Sequence, residues 1–156
     1  MAQVATRSDE EGAPEGLRRW LIVASGILGT LLFVVAITGA GMVLPHMQGS
    51  FSAAPDQIAW VVTSYIVATA MVTPTAGWLA SRFGRRRTML WSVIGFTVAT
   101  ILCGTADTLT GVVIFRGFQG AFGAPLPPIA QAIILDTFNK QQQSTALTVY
   151  GMGIVL

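Results

Sequence analysis

From Trp20 to Leu44 the chain runs 25 residues without one charged side chain. At ~1.5 Å per helical residue such a run crosses the ~30 Å hydrocarbon layer of a bilayer, and it is longer than the apolar core of a cleavable signal peptide. A backbone placed in lipid must satisfy its own polar groups, so a run of this length folds as a transmembrane helix. Further apolar stretches follow over 58–80, 88–104 and 109–135, and 144–156 opens a fifth. The expectation is an all-α membrane protein with four complete transmembrane helices and a truncated fifth. Residues 1–19, with Asp9, Glu10, Glu11 and Glu15 among Arg7, Arg18 and Arg19, read as a polar cytoplasmic tail.

Composition points the same way. Hydrophobic residues make up 53% of the chain and charged ones 10%, with a mean hydropathy of +0.65, outside the range of an ordinary soluble domain. The small net charge of +2 matters less than where the basic groups lie. Eight of nine (Arg7, Arg18, Arg19, Arg82, Arg85, Arg86, Arg87 and Lys140) fall on one side of the expected topology. Basic loops stay in the cytoplasm, which puts the N-terminus inside, in the plasma (inner) membrane. Trp20, Trp78 and Trp91 then sit at cytoplasmic helix ends and Trp60 at an external one, where amphipathic indoles prefer to lie. Basicity of this kind does not indicate nucleic-acid binding. Cys103 is the lone cysteine and lies in an apolar run, so no disulfide framework or metal cluster is indicated. No nucleophile with a base, phosphate loop or cofactor motif is present, so catalytic residues, cofactors and metals are all read as none.

The ninth basic residue, Arg116, is the one charge inside a span. A guanidinium at mid-membrane costs about 2.5–3.5 kcal/mol on insertion scales, so it must face protein or water and find partners. It begins a series with Gln119, Gly123, Pro127 and Gln131 at helical spacing, and Tyr65, Thr69 and Thr73 form a comparable polar stripe on the second span. Tyr65, Thr69 and Gln131 are the candidate cavity residues, with Arg116 and Gln119 as candidates for coupling or gating. Arg116 acting purely as a structural clamp is the competing reading. Among the remaining polar residues, Asp56 reads as a helix N-cap, and Asp136 as a surface partner of Lys140 or Arg87. Pro125, Pro127 and Pro128 are expected to kink or interrupt the fourth helix.

The turn Gly77-x-Leu79-Ala80-x-Arg82-x-Gly84-Arg85-Arg86 resembles the loop between the second and third helices of major facilitator superfamily transporters. Arg116-Gly117-Phe118-Gln119-Gly120 is similar to that superfamily's fourth-helix motif. Trp60-Val61-Val62-Thr63-Ser64-Tyr65 is similar to the second helix of the fourteen-helix drug:proton antiporter branch, and Tyr150-Gly151-Met152-Gly153 to the start of its antiporter motif. The resemblance implies a facilitator-type bundle of which this chain is an N-terminal part, the rest lying beyond Leu156. It also implies proton-coupled efflux of hydrophobic or cationic drugs, with Gly77, Arg82, Gly84, Arg85 and Arg86 as a conformational-switch loop and Gly151 and Gly153 opening the antiporter motif. Implied partners are a small-molecule substrate, the proton and the lipid bilayer. The first helix and the loop each depart from the pattern: Ala36 and Gly41 stand where the branch usually carries an Asp and an Asn, and Ser81 where the loop usually has an acid. Uptake of a metabolite, or a non-transporting sensor or scaffold, are the alternatives.

Overall fold

The computed structural model describes residues 12–51 and 54–155. Its elements are all helical: α1 (Gly12–Phe51), α2 (Pro55–Val72), a 3-10 turn (Thr73–Thr75), α3 (Ala76–Phe83), α4 (Arg85–Gly104), α5 (Leu109–Gly123), α6 (Leu126–Thr137) and α7 (Lys140–Val155). Three stretches are long and apolar enough to cross a membrane: Arg19–Val43, Asp56–Phe83 and Arg85–Gly104. The second runs through α2, the 3-10 turn and α3, with Pro74 in the turn. The expected fourth span is two helices, α5 and α6, interrupted at Ala124–Pro125 as the prolines led one to expect. Ala124 and Pro125 both keep right-handed helical dihedrals, so the interruption is local.

Helix limits are wider than hydropathy implies. The polar stretch expected over 1–19 is helical from Gly12 onward, where α1 has already begun, while the apolar span starts at Arg19; residues 1–11 lie outside the described residues. A helix nucleated by an apolar run propagates cheaply into neighbours such as Leu17 and Arg19, and Pro14 falls in the first turn, where a missing N–H costs nothing. At its other end α1 continues past the apolar span through Pro45 to Phe51, and α2 starts at Pro55. The N-cap of α2 is Ala54, whose N–H donates to the Gln57 side chain at 3.2 Å. Asp56 therefore sits within the first turn rather than at the cap, where a carboxylate still favours the positive end of the helix. α7 starts at Lys140, ahead of the expected Ser144.

Two packing units share α1. In one, α5 lies between α2 and α4. Gly120 makes this possible, because a Cβ there would run into the backbone carbonyl of Tyr65. In the other, α1 packs on α6 and α7 through Val23, Ala130, Ile134, Phe138, Ala146 and Tyr150. Trp20 meets Phe138 edge to face at 5.7 Å, which places the beginning of the apolar run of α1 beside the α6–α7 turn. Much of the remaining apolar surface, including Trp91 at 70% exposure and Ile101 at 61%, faces outward. That surface suits hydrocarbon or further helices, and not water.

Candidate functional site: an arginine held across four helices

Arg116 projects from α5, and its Nη1 donates to the backbone carbonyl of Ala36 on α1 at 2.9 Å. The same nitrogen donates to Gln119 Oε1, one turn along α5, at 3.1 Å. Gln119 is 4% exposed, and its Nε2 donates to Thr100 Oγ1 of α4 at 2.7 Å. Below the guanidinium lies the ring of Tyr65 on α2, with its centroid 5.8 Å from Cζ, within the range of a cation–π contact. Tyr65 is buried and its hydroxyl points to the Phe33 carbonyl of α1 at 3.4 Å, a weak bond by length. Thr69, one turn further along α2, donates to the Gly120 carbonyl at 3.3 Å. Four helices thus converge on one cation.

The electrostatics of this hub are unusual. All of Arg116's partners are neutral, and among the described residues none is a carboxylate. Where the sequence resemblance led one to look for an acid, Ala36 supplies only its main-chain oxygen. A guanidinium carries five N–H donors, and here only Nη1 is engaged, which leaves Nε and Nη2 without a protein acceptor among the described residues. The positive charge is fixed in place and open to an anion or a further acceptor.

Four of the expected site residues, Tyr65, Thr69, Arg116 and Gln119, are brought together here. Gln131 is not among them. It lies on α6 beside the Tyr150 hydroxyl of α7, in a second polar cluster. Thr30 gives its own proton to the Gly26 carbonyl at 3.0 Å, so Tyr150 donates to Thr30 Oγ1 across 2.7 Å. Gly153 packs on Ile27, whereas Gly151 has open space beside it. Sequence reasoning missed Thr100. It lies in an apolar run with no charge to mark it, and only its pairing with Gln119 reveals it.

The arginine turn is a separate structure. Gly84 closes α3 and opens α4 with φ 86° and ψ 140°, a conformation that side chains disfavour. Thr88 braces it, donating from Oγ1 to the Gly84 and Leu79 carbonyls at 3.0 and 3.3 Å. Arg85 forms an ion pair with Asp136 and donates to the Ala132 carbonyl at 3.3 Å, both in the last turns of α6, the negative end of that helix. The expected pairing of Asp136 with Lys140 or Arg87 is therefore corrected to Arg85. Two residues along a helix rotate a side chain by about 200°, so Arg85 and Arg87 leave α4 on opposite faces. Arg82, Arg86 and Arg87 are exposed, and Gly77 is exposed with nothing within 4 Å of where a Cβ would lie. A cavity of about 490 Å³ opens beside the turn, lined by Gly77, Ser81, Gly84, Arg85 and Asp136 among others. A larger groove, about 740 Å³, runs between α1, α4 and α6 away from Arg116.

A bundle of apolar helices with a half-buried cationic hub and an arginine turn defines a helical, multi-pass membrane protein. The chain belongs to the Major Facilitator Superfamily, whose family model matches residues 26–156. Among curated relatives, it is 39% identical over 129 residues to the multidrug export protein EmrB of Haemophilus influenzae, covering 83% of this chain and 25% of that protein. It is 32% identical over 142 residues to EmrB of Escherichia coli K12, covering 91% and 28%. The fatty acid resistance protein FarB of Neisseria gonorrhoeae is 33% identical over 137 residues, covering 88% and 27%. The chain thus spans about a quarter of the length of these relatives.

Proposed function

We propose that this chain forms part of a secondary transporter that exports hydrophobic or cationic compounds in exchange for protons, and that Arg116 tunes the coupling. The observation that carries the reading is the Arg116 hub, a fixed cation held by neutral groups with unused donors. Arginine does not deprotonate in proteins, so it does not itself carry the coupling proton. Its role is to lower the proton affinity of a carboxylate brought near it, or to release that carboxylate when the helices shift. The relatives named as multidrug exporters support the same class of activity. The test is efflux by the full-length protein in proteoliposomes. An imposed proton gradient, acidic on the receiving side, should drive export of a lipophilic dye, and collapse of the gradient should stop it. Efflux indifferent to the gradient would remove the coupling.

In this reading the turn at Gly77, Arg82, Gly84, Arg85 and Arg86 is a switch loop, with the Arg85–Asp136 pair latching α4 to the end of α6. Tyr65 and Thr69 border the substrate path beside the hub, Gln131 borders it at the Tyr150 cluster, and of the antiporter-motif glycines Gly153 allows α7 to approach α1 while Gly151 leaves open space on α7.

The membrane is the plasma (inner) membrane, with the arginine turn and the N-terminus in the cytoplasm. Single cysteines in a Cys103→Ser background test this orientation. Ser81→Cys should resist an impermeant maleimide applied to intact cells, and Asp107→Cys should react with it. Reaction of Ser81→Cys from outside would invert the topology.

A further inference from the structure

We propose that Thr100 is a positioning residue for Arg116, acting through Gln119; the proposal rests on the transport reading above. A threonine hydroxyl has one proton to give. Thr100 gives it to the Phe96 carbonyl one turn back on α4, at 2.7 Å. Its oxygen is therefore left as an acceptor only. Gln119 Nε2 donates into it at 2.7 Å, which commits the amide nitrogen to α4 and turns Oε1 toward Arg116. The opposite flip of the amide would set two donors, Nε2 and Nη1, against each other and leave the Thr100 lone pair unmet. The direction of one hydroxyl on α4 thus decides which end of Gln119 the guanidinium meets.

The consequence is mechanical as well as electrostatic. Arg116 is held on two sides, by Gln119 on its own helix and by the Ala36 carbonyl on α1. When α1 moves relative to α5 the bond to Ala36 must break, and the Gln119 oxygen remains to keep the cation in register. Without Thr100 that oxygen is free to rotate away, and Arg116 is then hydrogen-bonded to α1 alone, with only the Tyr65 ring beneath it. The titratable neighbours of the hub, the Tyr65 phenol on α2 and the Cys103 thiol on α4, do not replace Gln119 in holding the cation, because neither is hydrogen-bonded to Arg116.

A double-mutant cycle on the full-length protein tests the proposal. Thr100→Val keeps the shape and removes the acceptor, and it should lower proton-driven efflux about fivefold to tenfold, the equivalent of one lost hydrogen bond in the hub. Thr100→Ser should restore efflux to within about twofold of wild type, because the hydroxyl is back. In a Gln119→Leu background, Thr100→Val should add no further loss, since its effect runs through that amide. The same proteins are also assayed for phenylglyoxal modification of Arg116, read by peptide mass spectrometry. Thr100→Val should speed the reaction severalfold, and Thr100→Ser should not. Wild-type rates in Thr100→Val, or an equal loss with and without Gln119, would overturn the positioning role. If the wild-type protein shows no gradient-driven efflux, the transport reading falls, and the modification rates still decide for or against Thr100.

Discussion

Arg116→Ala is expected to reduce proton-driven efflux about 100-fold while the protein still accumulates in the membrane. Two charge-assisted hydrogen bonds are lost, to Ala36 and Gln119, and at about 1.5 kcal/mol each they amount to ~3 kcal/mol, or two decades in rate. Insertion should not suffer, because removing a guanidinium from a span relieves about 2.5–3.5 kcal/mol of insertion cost. Arg116→Lys should fall between the two. An ammonium preserves the charge, yet Nζ ends about one bond short of the Nη1 position from which the α1 carbonyl and the Gln119 amide are both reached, and it lacks the planar face that lies over Tyr65. The structural-clamp reading predicts the reverse pattern: poor accumulation of Arg116→Ala, and normal transport by whatever folds. Efflux normalised to folded protein separates the two. Well-folded Arg116→Ala with wild-type coupled efflux would reduce the hub to scaffolding.

At the arginine turn, Gly84→Val is expected to impair both stability and transport, whereas Arg87→Ala leaves both near wild type. The φ of 86° with ψ of 140° is open to glycine and strained for any residue with a Cβ, at about 1–3 kcal/mol. A Cβ at Gly84 would touch nothing within 4 Å, so the penalty comes from the backbone and not from crowding. Relaxing that strain means reorienting the start of α4, and with it Arg85, whose pairing with Asp136 joins α4 to α6. At about 1.4 kcal/mol the turn geometry would lose a factor of roughly ten in population. Arg87, exposed and without a side-chain partner among the described residues, has no comparable contact to lose. Thermal unfolding in detergent, together with efflux at matched membrane expression, measures both effects. Equal melting temperatures and equal efflux for Gly84→Val and wild type would show that the turn tolerates a β-branched residue.

The helical class and the three longest apolar spans were legible because the cost of placing charge or bare backbone in lipid accrues residue by residue, and a linear reading captures it. For the same reason Arg116 stood out as the one charge within a span, and Gly84 as a glycine between two basic helix ends. The limits of α1 were not legible, since helix propagation past the apolar run depends on neighbours and not on hydropathy.

What only the tertiary structure decided is which groups meet. Arg116 reaches an oxygen 80 positions away on α1, and its amide partner reaches a threonine 19 positions back on α4. Helices that are apolar on nearly every side carry little periodic signal of their rotation, so the sequence left their facing residues open. Gln131 shows the point most clearly. At about 100° per residue the helix already turns Gln131 about 120° away from Gln119, and the break at Ala124–Pro125 lies between them, so one meets α4 and the other α7. Asp136 likewise was read as a partner of Lys140 or Arg87, and the rotation of α4 selected Arg85. Burial costs are local and additive along the chain, whereas contact partners follow from the rotation and register of packed helices, which are settled only when the bundle assembles.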